Sequence, residues 1–175
     1  MKLIPKRKVA PKEMAGGDQL LNYISNFSEY LTETVQNINT TINMLGDIVR
    51  VVYIKVISES TSLTTGDGKA YVTIPQGLNG MNLLSANANV YTKSSSGNVT
   101  VSIEKSPNNG VQWTDMLVNN IVIEANEYAS FTATTQPSVN LSQDIVVKGY
   151  WVRVNVDGAG TGTKGLDVML TFRQA

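Results

Sequence analysis

The side chains able to do chemistry in this sequence are carboxylates, aromatic rings and one glycine-rich string. Asp67, Asp115, Glu124, Glu127, Asp144, Asp157 and Asp167 could in principle supply the acid and base of glycoside hydrolysis. Each stands in or beside a turn-forming stretch, where such residues serve the backbone, and no spacing singles out two of them. The chain has no histidine and no cysteine. That excludes Ser-His-Asp and Cys-His devices, thiolate nucleophiles, zinc ribbons and disulfides. Gly160-Thr161-Gly162-Thr163-Lys164-Gly165 matches G-x-G-x-x-G. A dinucleotide site needs a helix after that string, but a strand pattern follows, so the string reads as a hairpin loop. Asp157 with the carbonyls of 158–162 comes nearest to a set of calcium ligands, without the several clustered oxygens such a site needs. Neither a metal nor a cofactor is expected, and the chain reads as a non-enzyme. Rings at strand ends can stack on sugars. Trp113, after the Pro107–Gly110 turn, and Tyr128, between strand patterns, are therefore the candidate glycan contacts. Trp151 lies inside a strong strand pattern beside Tyr150, where core and surface are both open.

The elements that must carry these residues fall into three zones with different charge. Residues 1–17 hold five basic residues and one acid, residues 18–50 four acids and one base, and residues 51–175 eight bases and nine acids. The total is zero, and only 16% of residues are charged, against roughly 25% in an average domain. Zone 1–17 contains Pro5 and Pro11 and ends on Gly16-Gly17, so it reads as an extended arm with a flexible joint. Leu3, Ile4 and Val9, with Lys6, Arg7 and Lys8, suit a docking peptide that orders on a larger partner. Five charges without aromatics are a poor nucleic-acid arm, so no nucleic-acid partner is expected. No run of about 18 apolar residues occurs, so no membrane insertion is expected.

Zone 18–50 carries a heptad stripe. Position a reads Leu21, Ser28, Val35, Ile42 and Val49; position d reads Ile24, Leu31, Ile38 and Leu45. A narrow stripe repeating every 3.5 residues predicts a coiled coil, with Asp18 as the helix N-cap. Leu20 and Phe27 at position g widen the stripe and favour three helices over two. The rest of the helix surface is rich in Asn and Thr, which are weak helix formers, so association must stabilise it. In zone 51–175 the period changes to two. Strands are predicted around 52–56, 70–74, 82–91, 99–103, 120–125, 130–134, 151–156 and 167–173, parted by turns such as Thr65–Gly68, Asn79-Gly80 and Gly158–Gly162. Many short strands with no helical pattern between them predict a mainly β fold, an antiparallel sandwich of jelly-roll-like kind.

A docking arm, a polar Asn/Thr-rich coiled coil and a small β-sandwich, in that order, resemble bacteriophage head-fibre and tail-fibre proteins. The run Leu63-Thr64-Thr65-Gly66-Asp67-Gly68-Lys69-Ala70-Tyr71, then Ile74-Pro75 and Leu78-Asn79-Gly80-Met81-Asn82-Leu83, is similar to a domain of those proteins. So are Arg153–Asp157, Gly160–Leu166 and Phe172, and the likeness spans roughly Ser60 to Arg173. It implies a virion surface protein, commonly trimeric, with no catalytic residues to carry over. The short fibre fits a head fibre or capsid decoration better than a long host-range fibre. The expectation is therefore a homotrimer that docks on the major capsid or another virion protein through its arm. It would lie on the capsid exterior, less readily on the tail. The rival expectation is a tail-associated adhesin that recognises host surface glycans.

Overall fold

A computed structural model of the chain describes Gly17–Gly46 and residues 48–174. The docking-arm candidates Leu3, Ile4, Lys6, Arg7, Lys8 and Val9 lie outside the described residues. The chain divides into two compact units that part between Leu45 and Gly46, rather than between residues 50 and 51.

The described part of the first unit is helix α1, Gly17–Gly46, 30 residues long, whose last residue, Gly46, falls in the second unit. At roughly 1.5 Å per residue it extends about 45 Å. It begins one residue ahead of the predicted cap, Asp18. Its threonines are accommodated by back-bonding: the hydroxyls of Thr32, Thr34, Thr40 and Thr41 each donate to the carbonyl four residues earlier, at 2.8–2.9 Å. Leu21, Ile24, Leu31, Val35 and Ile38 are 46–65% exposed within the single chain. Ile42 and Leu45 belong to the helix, but their side chains lie outside the described set. Val49 does not continue the stripe. It opens the first strand and pairs with Arg173. Gly46 is a poor helix residue, and the β-branched Val49, Val51, Val52, Ile54 and Val56 favour a pleated strand.

The second unit is mainly β. Its strands are β1 (Val49–Ser62), β2 (Gly66–Thr73), β3 (Met81–Asn89), β4 (Val99–Ser106), β5 (Thr114–Asp115), β6 (Leu117–Asn119), β7 (Ile121–Ile123), β8 (Ser138–Val139), β9 (Ile145–Val146), β10 (Trp151–Ala159) and β11 (Lys164–Gln174). All pair antiparallel. One sheet has the order β1-β11-β3-β9 and the other β2-β10-β4-β5, with β7 also paired to β4, and β6-β8 form a small separate pair. β5 meets β4 at Glu104 and Lys105, and β7 meets it at Val99–Val101, so the two short strands share its far edge. The inward positions of both sheets form one core. Val152, Val154 and Val156 of β10 and Val99, Val101 and Ile103 of β4 join Leu166, Val168, Leu170 and Phe172 of β11. Burial of each such side chain contributes about 1.5–3 kcal/mol.

Two predicted elements differ. Residues 130–134 are not a strand; Ser130–Thr132 form a 3-10 turn closed by the Ala133 N–H on the Ser130 carbonyl. The Ser130 hydroxyl is buried and accepts the Ala88 N–H of β3 at 3.0 Å, which anchors the turn. Thr65–Gly68 is not a free turn either, since β2 starts at Gly66 and reaches β10 across a register shift between Val154 and Val156. The Gly160 string lies in the β10–β11 connection, but that connection is not a hairpin: β10 and β11 belong to different sheets, so the loop crosses from one sheet to the other. It is clipped to the 94–97 turn by the Ser95 N–H on the Thr161 carbonyl and the Thr161 N–H on the Ser96 carbonyl, both at 2.9 Å.

Candidate functional site

Alternation along β10 sends Val152, Val154 and Val156 inward and Trp151, Arg153, Asn155 and Asp157 to the opposite face. β4 does the same with Ser102 and Glu104, and β2 with Tyr71. Antiparallel pairing of β2, β10 and β4 sets these side chains beside one another: Arg153 lies opposite Tyr71 on one side and Glu104 on the other. A tight loop adds Trp113. The Ser106 hydroxyl accepts the Gly110 N–H, and the Asn108 side chain accepts the Gln112 N–H, both at 2.9 Å.

The result is an aromatic platform at one end of the outer face. The Tyr71 ring centroid is 6.0 Å from that of Trp113 and 6.2 Å from that of Trp151, with interplanar angles of 52° and 70°. Both tilts suit the quadrupoles of the rings. The Arg153 guanidinium carbon lies 4.4 Å from the Trp113 ring centre, in cation–π contact. Two glycines make the packing possible. Gly68 has φ +61°, and a Cβ there would overlap the Tyr71 hydroxyl; Gly110 has φ +87° and faces both tryptophans.

Arg153 ties the platform to the middle of the sheet. Its Nε donates to Glu104 Oε2 at 2.6 Å, and its Nη2 lies 3.5 Å from the Asp67 carboxylate. Burial opposes the charge on Arg153, but the Glu104 bond and the nearby carboxylates of Glu104 and Asp67 outweigh it and hold the guanidinium above its ordinary pKa. Asn155 Nδ2 donates to the same Glu104 oxygen at 2.5 Å and to Ser102 Oγ at 3.3 Å, while Asn155 Oδ1 accepts the Gly68 N–H at 2.8 Å. Beyond them an open groove of about 580 Å³ continues along the face, lined by residues including Asp115, Asn120, Val122 and Asp157. Asn120 Nδ2 donates to Asp157 at 3.2 Å. Asp115 is pushed up from the usual carboxylate range by burial first, then by Glu104 and Asp157, against a smaller opposing pull from Arg153.

Trp113 therefore groups with Tyr71 and Arg153, and Tyr128 stands apart from them. Tyr128 is exposed, lies under the Lys93 ammonium at 5.7 Å, and precedes Ala129, which bridges Asn89 at the end of β3 in the other sheet. Trp151, for which the sequence left core and surface both open, is exposed on the outer face. Tyr71 and Arg153 were not singled out from sequence, although the alternation of β2 and β10 marks both as outward. The candidate carboxylates are dispersed. Glu124 and Glu127 accept bonds from Thr134 and Thr132 in surface turns. Asp67, Asp115 and Asp157 border the platform and groove. Asp167 is buried on the other sheet and accepts the hydroxyls of Tyr53 and Tyr91, the latter at 2.6 Å. Those bonds are the main reason that both phenols sit above their ordinary pKa. Among the described residues, no three Asp or Glu are placed to hold a metal ion, and no helix is long and apolar enough to cross a membrane. Comparison with protein-family models, with curated proteins and with solved structures finds no match for this chain.

Proposed function

We propose that this chain is a structural, non-catalytic bacteriophage virion protein. It is a short head fibre or capsid decoration that docks through residues 1–17, trimerises through α1 and displays the β domain as a knob. The observation that carries the reading is the uncovered stripe on α1. A 30-residue helix that leaves Leu21, Ile24, Leu31, Val35 and Ile38 about half exposed or more must find a partner, because an isolated helix rich in Asn and Thr is marginal in water. Copies of the same stripe satisfy it in a coiled coil. Exposed Val49, Val51 and Tyr53 on β1 offer further apolar surface to neighbouring knobs. The strand order β1-β11-β3-β9 over β2-β10-β4-β5 also agrees with a jelly roll, an architecture common in viral capsid and lectin domains.

Sedimentation equilibrium of the full chain tests assembly: a trimer mass that falls to a monomer mass in Ile38→Asp supports the reading, whereas a monomeric parent chain refutes it. Recovery on purified virions of a chain lacking Met1–Gly17 would refute docking through the arm. A second reading, a tail-associated adhesin for host glycans, is favoured by one observation, the grouping of Tyr71, Trp113 and Trp151 on an open sheet face. Trimerisation would raise the avidity of such a face without any new contact.

A further inference from the structure

The outer face of β2-β10-β4 has the features of a built carbohydrate site. Its aromatic end is held rigid by Arg153, Gly68 and Gly110 rather than left as loose surface rings. Its middle is a satisfied network, Arg153–Glu104–Asn155–Ser102, in which every partner is held by at least one hydrogen bond. Its far end is the open groove that holds Asp115 and Asp157. Outward positions on β10 from Trp151 to Asp157 span about 20 Å at roughly 3.3 Å per residue. That length suits an extended oligosaccharide, with apolar ring faces against Tyr71 and Trp113 and hydroxyls toward the groove.

The charge of the face narrows the ligand class. The face carries the carboxylates of Asp67, Glu104, Asp115 and Asp157, while its guanidinium, Arg153, is already paired with Glu104. Among the described residues, the cations at the outward positions of β2 and β10 are Arg153, already paired, and Lys69, whose ammonium donates to Thr64 Oγ1 at 3.0 Å, so the four carboxylates still outnumber them and an anionic sugar would meet a net negative face. We propose that this face binds a neutral oligosaccharide, stacked on Tyr71, Trp113 and Trp151 and hydrogen-bonded along the groove by Asn120, Asp115 and Asp157. The proposal rests on the adhesin reading and gives it a ligand class and a place.

The chain has two tryptophans, and both belong to the platform, so their emission reports the site directly. The full chain is titrated with neutral oligosaccharides (α-glucan, β-glucan, mannan, galactan and N-acetylglucosamine oligomers) and with an oligogalacturonate. The expected result is a saturable emission shift with at least one neutral probe and none with oligogalacturonate. Tyr71→Ala should weaken that binding about five- to tenfold, and Tyr128→Ala should leave it unchanged. Tyr71 is half exposed, and an unchanged melting curve of the variant separates lost binding from lost folding. Equal or better binding of oligogalacturonate overturns the ligand class and leaves the adhesin reading standing. No response to any neutral probe overturns the proposal, and if the chain also fails to attach to host cells the adhesin reading falls with it. A change of sedimentation mass in Tyr71→Ala would make the face a contact between copies and overturn the proposal as well.

Discussion

Arg153→Ala tests whether the outer face is a rigid, coupled unit. The guanidinium makes three contacts of unequal worth. The bond to Glu104 is 2.6 Å long, and both side chains are largely buried, at 16% and 15% exposure. Breaking a fully buried pair costs about 3–5 kcal/mol, mostly because the remaining charge loses its partner. Glu104 keeps its bond from Asn155 and some access to water, so we expect about 2–3 kcal/mol from the same principle. The stack on Trp113 adds about 1 kcal/mol. Asp67, whose side chain is 71% exposed at 3.5 Å, adds little, as surface pairs do. The variant should therefore lose about 3–4 kcal/mol, which for a domain of this size lowers Tm by about 10 °C. Urea denaturation and thermal melting measure the loss, and near-UV circular dichroism reports the freed Trp113. Arg153→Lys should lie between the two, since it keeps the charge but loses the planar fork and the stack. A double-mutant cycle with Glu104→Gln isolates the pair. A loss below about 1 kcal/mol, or additive effects in the cycle, would refute the reasoning that Arg153 and Glu104 act as one buried unit.

The other predictions concern backbone and pH. Gly68→Ala should cost at least about 1–2 kcal/mol for the left-handed backbone and should also displace the Tyr71 ring, visible in near-UV circular dichroism. Gly80→Ala, with φ +77° and open space around it, should show the backbone cost alone; equal spectra for the two variants would contradict the close packing of Tyr71 on Gly68. Tyr53 and Tyr91 have raised pKa values in the fold, so their contribution is fully present below about pH 10, the ordinary value, and is lost as pH rises toward the folded value. Melting temperature should accordingly fall above about pH 10, and Tyr53→Phe should flatten that fall; an unchanged alkaline slope would show that the Asp167 bond is not what couples stability to pH.

Much of the architecture was legible in the residues because it depends on local periodicity. A repeat of 3.5 from Leu21 onward marks a helix with one apolar stripe, and α1 forms there. A repeat of two marks strands, and the split of β10 into inward valines and outward Trp151, Arg153 and Asn155 can be read directly from residues 151–156. Pattern failed where an element is too short to have a period, as in β5, β8 and β9, each of two residues. It failed again where a tertiary anchor overrides propensity, as at Ser130, whose buried hydroxyl holds a turn against β3. At Val49 the heptad register and the β-branched run make competing claims, and pairing with Arg173 in the sheet decides for the strand. The sequence by itself thus determined which faces are apolar, that a helix precedes a run of strands, and that histidine and cysteine chemistry is absent. Only the tertiary structure decided that Tyr71, Trp113, Trp151 and Arg153 meet, that Tyr128 stands apart from them, and that Asp167 is buried between two phenols. Those groupings depend on which distant strands pair and in what register, and alternation along a single strand carries no information about its neighbour.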